Sequence, residues 1–253
     1  MSEYNPFSLK DKRIMVTGAS SGIGRSIAIE CSKMGAEMII VARSEDKLKD
    51  TMSEMSSGKH LLLTCDLTCT EDVARLVAEL PLLDGVVHNA GVGKRVVSKM
   101  VKETDLDYVM RTNVYAPIML QKELLKKRRM AKESSIVFVA SRAPYAPSIG
   151  NGIYSASKGA ILGYAKVLAL ELAAQGIRVN SILPAMVWTD FINKDAALMG
   201  VDYGEVEKRY PLKRFGKPVD VAYLAAYLLS GASSWMTGSS IDLTGGGEGI
   251  LTM

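Results

Sequence analysis

The chain has 253 residues, 48% of them hydrophobic and 23% charged, and a formal net charge of +4. That length can bury a full core within one domain, and the composition is ordinary for a soluble globular protein. No apolar run approaches the ~20 residues needed to span a bilayer, and Met1 to Lys10 lacks the basic-then-apolar order of a signal peptide, so a cytoplasmic location with no membrane partner is expected.

The first predicted element is a strand over residues 13–17, Arg13-Ile14-Met15-Val16-Thr17. Gly18-Ala19-Ser20-Ser21-Gly22-Ile23-Gly24 follows and runs into a helical pattern over 22–34. A strand, a glycine-rich turn and a helix start present backbone N–H groups and a positive helix end to phosphate. Gly18 suits a tight turn, Gly22 a close approach of backbone to pyrophosphate, and Gly24 close helix–strand packing. The spacing is Gly-x3-Gly-x-Gly, whereas the commoner dinucleotide fingerprint is Gly-x-Gly-x2-Gly. Glycines here could equally be turn chemistry alone.

Further strands are predicted near 37–42, 60–65, 84–89, 135–140, 177–183 and 239–243, and helices near 45–56, 70–80, 99–130, 153–174 and 218–230. Such alternation predicts an α/β protein: a single doubly wound domain over 1–253, with a seven-stranded parallel sheet and helices on both faces. Ligands bind such sheets at the carboxyl ends of the strands, where Ser20, Asn89 and Ser141 fall. Cys31, Cys65 and Cys69 are odd in number and scattered, which fits reduced thiols better than disulfides or a metal site. The basic run Lys126-Lys127-Arg128-Arg129 ends a predicted helix, where cations meet the C-terminal dipole. It has no interleaved aromatics on which bases could stack, so nucleic acid is not an expected partner.

Tyr154-Ser155-Ala156-Ser157-Lys158 places a phenol and an ammonium on one helix face. A cation so placed favours phenolate and predicts a tyrosine pKa below its usual value of about 10. Such a tyrosine can exchange a proton with an alcohol. The longest segment outside the alternation is about 185–218, the length of a lid or binding loop, or of a packed excursion.

In combination these features resemble the short-chain dehydrogenase/reductase family, in its branch of about 250 residues, and most of all the 3-oxoacyl-carrier-protein reductases. The motif Thr-Gly-x3-Gly-x-Gly runs from Thr17 to Gly24, Asn89-Ala90-Gly91 follows the fourth strand, and Tyr-x3-Lys is Tyr154 to Lys158. The family's Pro-Gly after the sixth strand is Pro184-Ala185 here, a departure, while Thr189 is retained.

The resemblance implies hydride transfer between a nicotinamide cofactor and a ketone or secondary alcohol. Tyr154 would be the acid/base and Ser141 the partner of the substrate oxygen. Lys158 would tune Tyr154 and hold the nicotinamide ribose, while Asn113 anchors water near the lysine. Cofactor contacts would come from Thr17, Gly18, Ser20, Ser21, Gly22, Ile23, Gly24, Asp66, Leu67, Asn89, Ala90, Gly91, Val187 and Thr189. Substrate contacts would come from Ser141, Arg142, Asn151, Met186, Trp188 and Phe191, in a largely apolar pocket closed by segment 185–218. Dinucleotide folds that prefer NAD place an acidic residue near the end of the second strand; here Ala42 and then Arg43 stand there. A guanidinium suits a 2′-phosphate, so NADP is favoured over NAD. A homotetramer, or a homodimer, is implied through the 153–174 helix and Gly245 to Met253.

The alternatives are a catalytically idle dinucleotide-binding regulator and a sugar-nucleotide epimerase or dehydratase. The first would ordinarily have lost Tyr, Lys or Ser, and the second belongs to a longer branch with other glycine spacing. An enoyl reductase would, by family pattern, place more residues between Tyr and Lys.

Overall fold

The computed structural model describes residues 4–190, 192 and 202–247. Seven parallel strands form one sheet in the order β3-β2-β1-β4-β5-β6-β7. They are β1 (Arg13–Thr17), β2 (Glu37–Ala42), β3 (Leu61–Thr64), β4 (Leu83–His88), β5 (Met130–Val139), β6 (Arg178–Pro184) and β7 (Ser240–Leu243). The helices between them are α1 (Gly22–Lys33), α2 (Glu45–Ser53), α3 (Thr70–Glu79), α4 (Glu103–Met110), α5 (Ala116–Lys126), α6 (Gly152–Leu172), α7 (Tyr203–Lys208) and α8 (Pro218–Leu229). Among the described residues no helix is long and apolar enough to cross a membrane.

The strands are apolar on both faces because both faces are covered. Side chains alternate along a strand, so neighbours enter different cores. Ile14, Val16, Met38 and Ile40 pack with Ile27, Ala28 and Cys31 of α1 and with Val221 and Ala225 of α8. Met15, Ile39 and Val41 turn the other way, towards Val73, Leu76 and Val77 of α3 and Leu120 and Leu124 of α5. Ile136, Phe138 and Val179 meet Ile161, Ala165 and Leu168 of α6. The strand order reverses between β1 and β4, which opens a crevice at their carboxyl ends.

The single helix predicted over 99–130 is in fact α4 and α5, joined by a five-residue π-helical turn, Arg111–Tyr115. Pro117 explains the change of register. It has no N–H to offer the carbonyl of Asn113 four residues earlier, so the α-helical pattern cannot continue through this point. The basic run is consumed at the following turn. Arg128 adopts a left-handed φ of 53°, and Arg129 donates to the carbonyls of Val77 and Ala78 at the end of α3. β5 therefore begins at Met130, earlier than its apolar run suggests.

The described part of segment 185–218 is a packed excursion with its own small core, made of Ile192, Tyr203, Val206, Tyr210 and Phe215. Glu207 ties it together by accepting from Trp188 Nε1 at 2.9 Å and from the Phe215 amide at 2.8 Å.

Candidate active site

A cleft of about 1050 Å³ runs across the carboxyl ends of the strands, from Arg43 and Asp66 at one end to Ser141, Asn151 and Tyr154 at the other. Its floor is the glycine turn. Gly18 takes a φ of +67°, and a Cβ there would lie 2.9 Å from the Ala90 Cα. At Gly24 a Cβ would overlap the Gly18 carbonyl and the Asn89 amide, so α1 could not start this close to the strand.

Thr17 and Asn89 hold this geometry. The buried Thr17 hydroxyl accepts from the amides of Asn89 (3.0 Å) and Ala90 (3.2 Å). Asn89 Nδ2 returns hydrogen bonds to the carbonyls of Thr17 and Gly18. Thr17 and Gly24 thus shape the turn from behind, whereas Gly18, Ser20, Ser21, Gly22, Ile23, Asn89, Ala90 and Gly91 line the cleft. Thr51 also supports it, donating to the Ala19 carbonyl at 2.9 Å. A threonine inside a polar helix gave no sequence signal for that role.

At the far end Arg43 is exposed, with no ion pair among the described residues, and Lys47 lines the same part of the cleft. Asp66 accepts from the amide and hydroxyl of Thr68. Those bonds hold its carboxyl below the usual range, with a smaller contribution from Arg43. Leu67 lies beside it on the wall.

At the other end Ser141 follows β5, and its Oγ accepts from the Ala143 amide at 3.1 Å. Its side chain also hydrogen-bonds Tyr154, from the first turn of α6. Lys158, one turn on, is 7% exposed and donates to the Val139 carbonyl at 3.0 Å. Its Nζ stands 5.8 Å from the Tyr154 ring centre. Burial pulls the Lys158 pKa down to about 8. The expected lowering at Tyr154 is reversed: burial pushes its phenol above the usual value, and the Ser141 hydrogen bond offsets only part of this. Desolvation is the larger of these two effects on the phenol.

Asn113 lies behind the cleft, in the π turn. Its Oδ1 accepts from the Val92 amide, and its Nδ2 donates to the Val92 carbonyl, both at 2.8 Å. Nδ2 also donates to Ser157 Oγ at 3.0 Å. Asn151, Met186, Val187 and Thr189 line the cleft. Arg142 lines it too, with its charge paired to Asp242 at 2.9 Å. Trp188, expected at the substrate end, instead turns into the small core against Phe215, 5.1 Å between ring centres. Phe191 lies outside the described residues. Lys94, Arg95, Ser148 and Asp190, which sequence reasoning missed, give the pocket a more polar lining than expected.

The fold and cleft define a dinucleotide-binding oxidoreductase. A family model described as enoyl-(acyl carrier protein) reductase matches residues 18–248. A 3-oxoacyl-[acyl-carrier-protein] reductase of Rickettsia bellii is 33% identical over 94% of this chain and 97% of its own. An L-xylulose reductase of Caenorhabditis elegans is 32% identical over 95% and 97%. A solved structure of a putative NAD(P)-dependent gluconate 5-dehydrogenase from Beutenbergia cavernae, with bound NADP, superimposes with a TM-score of 0.84 at 31% identity, covering 96% and 98%. The chain belongs to the short-chain dehydrogenase/reductase family, enzymes that act on carbonyl and alcohol groups with a nicotinamide dinucleotide.

Proposed function

We propose that this enzyme transfers hydride between NADP(H) and a ketone or secondary alcohol of the 3-oxoacyl thioester type. The observation that carries the reading is the hydrogen bond between Ser141 and Tyr154, one helical turn from the buried Lys158. The left-handed glycine turn, which leaves its backbone bare along the cleft, fits a dinucleotide pyrophosphate. When bound, the nicotinamide supplies the hydride.

Tyr154, kept protonated by burial, gives its proton to the substrate oxygen as negative charge develops there. Ser141 donates a hydrogen bond to the same oxygen. Lys158 donates one of its three protons to the Val139 carbonyl and would offer the others to the ribose hydroxyls of a bound cofactor and to the phenolate left on Tyr154. Asn113 holds the loop beneath the lysine and anchors water there. One domain carries both ends of the reaction, with segment 185–218 as the substrate loop. Val167 and Leu170, exposed on α6, support self-association into a homotetramer. Buried thiols at Cys31 and Cys65 suit a reducing cytoplasm.

Arg43 selects NADP by pairing with the 2′-phosphate. The double substitution Ala42→Asp with Arg43→Ala is expected to weaken NADPH binding by more than roughly tenfold to a hundredfold and to raise NADH use. Wild type binding both cofactors equally, with Arg43→Ala changing neither, would overturn the assignment. The chemistry is tested by following NADPH absorbance with a 3-oxoacyl thioester, a ketose and a 2-enoyl thioester. Turnover of the 3-oxo compound is expected; turnover of the 2-enoyl compound alone would redirect the reading to C=C reduction.

A further inference from the structure

Ser157 sits between the two residues assigned to proton transfer, and the reaction as proposed does not use it. Its side chain is fully buried. The hydroxyl has one proton, and that proton goes to the Tyr154 carbonyl at 2.7 Å, a bond to the residue three positions back in α6. Only its lone pairs then face Asn113, so Ser157 must accept from Nδ2 at 3.0 Å.

This settles which way round the Asn113 amide stands. With the NH₂ group towards Ser157, its second proton reaches the Val92 carbonyl and Oδ1 meets the Val92 amide. Were the amide flipped, Oδ1 would confront the Ser157 oxygen and the Val92 carbonyl, two acceptors, and Nδ2 would confront an N–H. The two-bond clasp on Val92 would be lost. That clasp fixes the loop after β4 at Gly91, where an added Cβ would stand 3.3 Å from Asn113 Oδ1 and 3.4 Å from Lys158 Nζ. Ser157 therefore joins three separate pieces at one point: the helix bearing Tyr154 and Lys158, the π turn bearing Asn113, and the loop that lies against the lysine.

We propose that Ser157 is a positioning residue for the reaction: it orients the Asn113 amide and through it sets the loop at Gly91 and Val92 against Lys158. The kinetic part of this rests on the proton-transfer roles given above; the structural part stands without them. Two measurements separate them.

The first does not depend on activity. Amide hydrogen exchange of the whole protein, read at Val92, is expected to quicken roughly tenfold in Ser157→Ala, as one supporting hydrogen bond of the clasp is lost. The Ala140 amide, paired to Ile182, should be unaffected. Unchanged exchange at Val92 in a folded variant overturns the proposal whatever the enzyme's substrate.

The second is a double-mutant cycle on turnover of whichever ketone the wild type reduces. Ser157→Ala should lower kcat roughly tenfold, with KM for the ketone within about twofold. Ser157→Thr, which keeps the hydroxyl, should recover most of the loss. In an Asn113→Ala background Ser157→Ala should cost almost nothing more, because the group it orients is gone. Full additivity of the two losses would show that Ser157 acts by general support of α6 and would overturn the proposal. Loss of turnover in Ser157→Ala with Thr equally inactive, and additive with Asn113→Ala, would do the same.

Discussion

The two ends of the cleft are built in opposite ways. The end proposed for the cofactor is made of backbone: the turn from Gly18 to Gly24 rests on strand ends and is stitched by Thr17 and Asn89 with hydrogen bonds of 3.0–3.3 Å. The end proposed for the substrate is made of side chains, carried by α6 and by loops. Its segment after β6 is held by a small aromatic core and by one carboxylate, Glu207, that serves two donors. A backbone site depends on where chain can approach chain, so it tolerates little change; a side-chain site depends on what each loop carries and can be revised. That contrast accounts for relatives named for substrates as different as a 3-oxoacyl thioester and L-xylulose.

The contrast predicts unequal damage. Gly24→Val puts a branched side chain where even a Cβ overlaps the Gly18 carbonyl. Cofactor affinity should fall more than about a hundredfold, with at least 2 kcal/mol of stability lost, the range for overpacking at a tight backbone contact. Isothermal titration and thermal melts check both. Wild-type affinity in this variant would mean the turn is not the cofactor's floor.

Lys158 lies where the two ends meet, and there function and stability should part. Its folded pKa, about 8, is below the ordinary lysine value of 10.5. Between those pH values the unfolded chain holds a proton that the native chain has released, so stability rises as pH climbs from about 8 to 10.5. Below pH 8 the buried ammonium costs roughly 2–4 kcal/mol. Lys158→Met should remove that pH-dependent rise and melt no lower than wild type at pH 7, while turnover falls about a hundredfold and cofactor binding weakens. Melts from pH 7 to 10.5 test the sign; a variant that keeps the same rise would show that Lys158 is not its source.

The substrate end should yield less. Trp188→Phe loses the bond to Glu207 but keeps the packing on Phe215. KM for the ketone should rise about twofold to tenfold, as expected for one hydrogen bond of about 1 kcal/mol, with cofactor affinity unchanged. A matching loss of cofactor affinity would blur the distinction between the ends.

The same contrast explains what the sequence made legible. Strand ends, glycine turn and the Tyr154–Lys158 spacing follow from local periodicity and from backbone demands, which leave marks at fixed intervals. The π turn at Arg111–Tyr115 was also marked, by Pro117, but an apolar helical pattern on both sides hid it. Trp188 was misplaced because an aromatic residue in a long loop suits a pocket or a private core equally well. Only the distant Glu207 and Phe215 decide between them. The direction of the Tyr154 shift was hidden for a similar reason: spacing reveals the nearby ammonium, whereas burial depends on the whole fold.

The central claim is that Tyr154 supplies the proton in a cleft whose cofactor site stands independently of it. Tyr154→Phe removes one hydroxyl and nothing else from the wall. Turnover of the 3-oxoacyl thioester, followed by NADPH absorbance, should fall roughly 10²–10⁴-fold, with NADPH affinity by fluorescence titration within about twofold of wild type. Turnover within a few-fold of wild type would contradict the account.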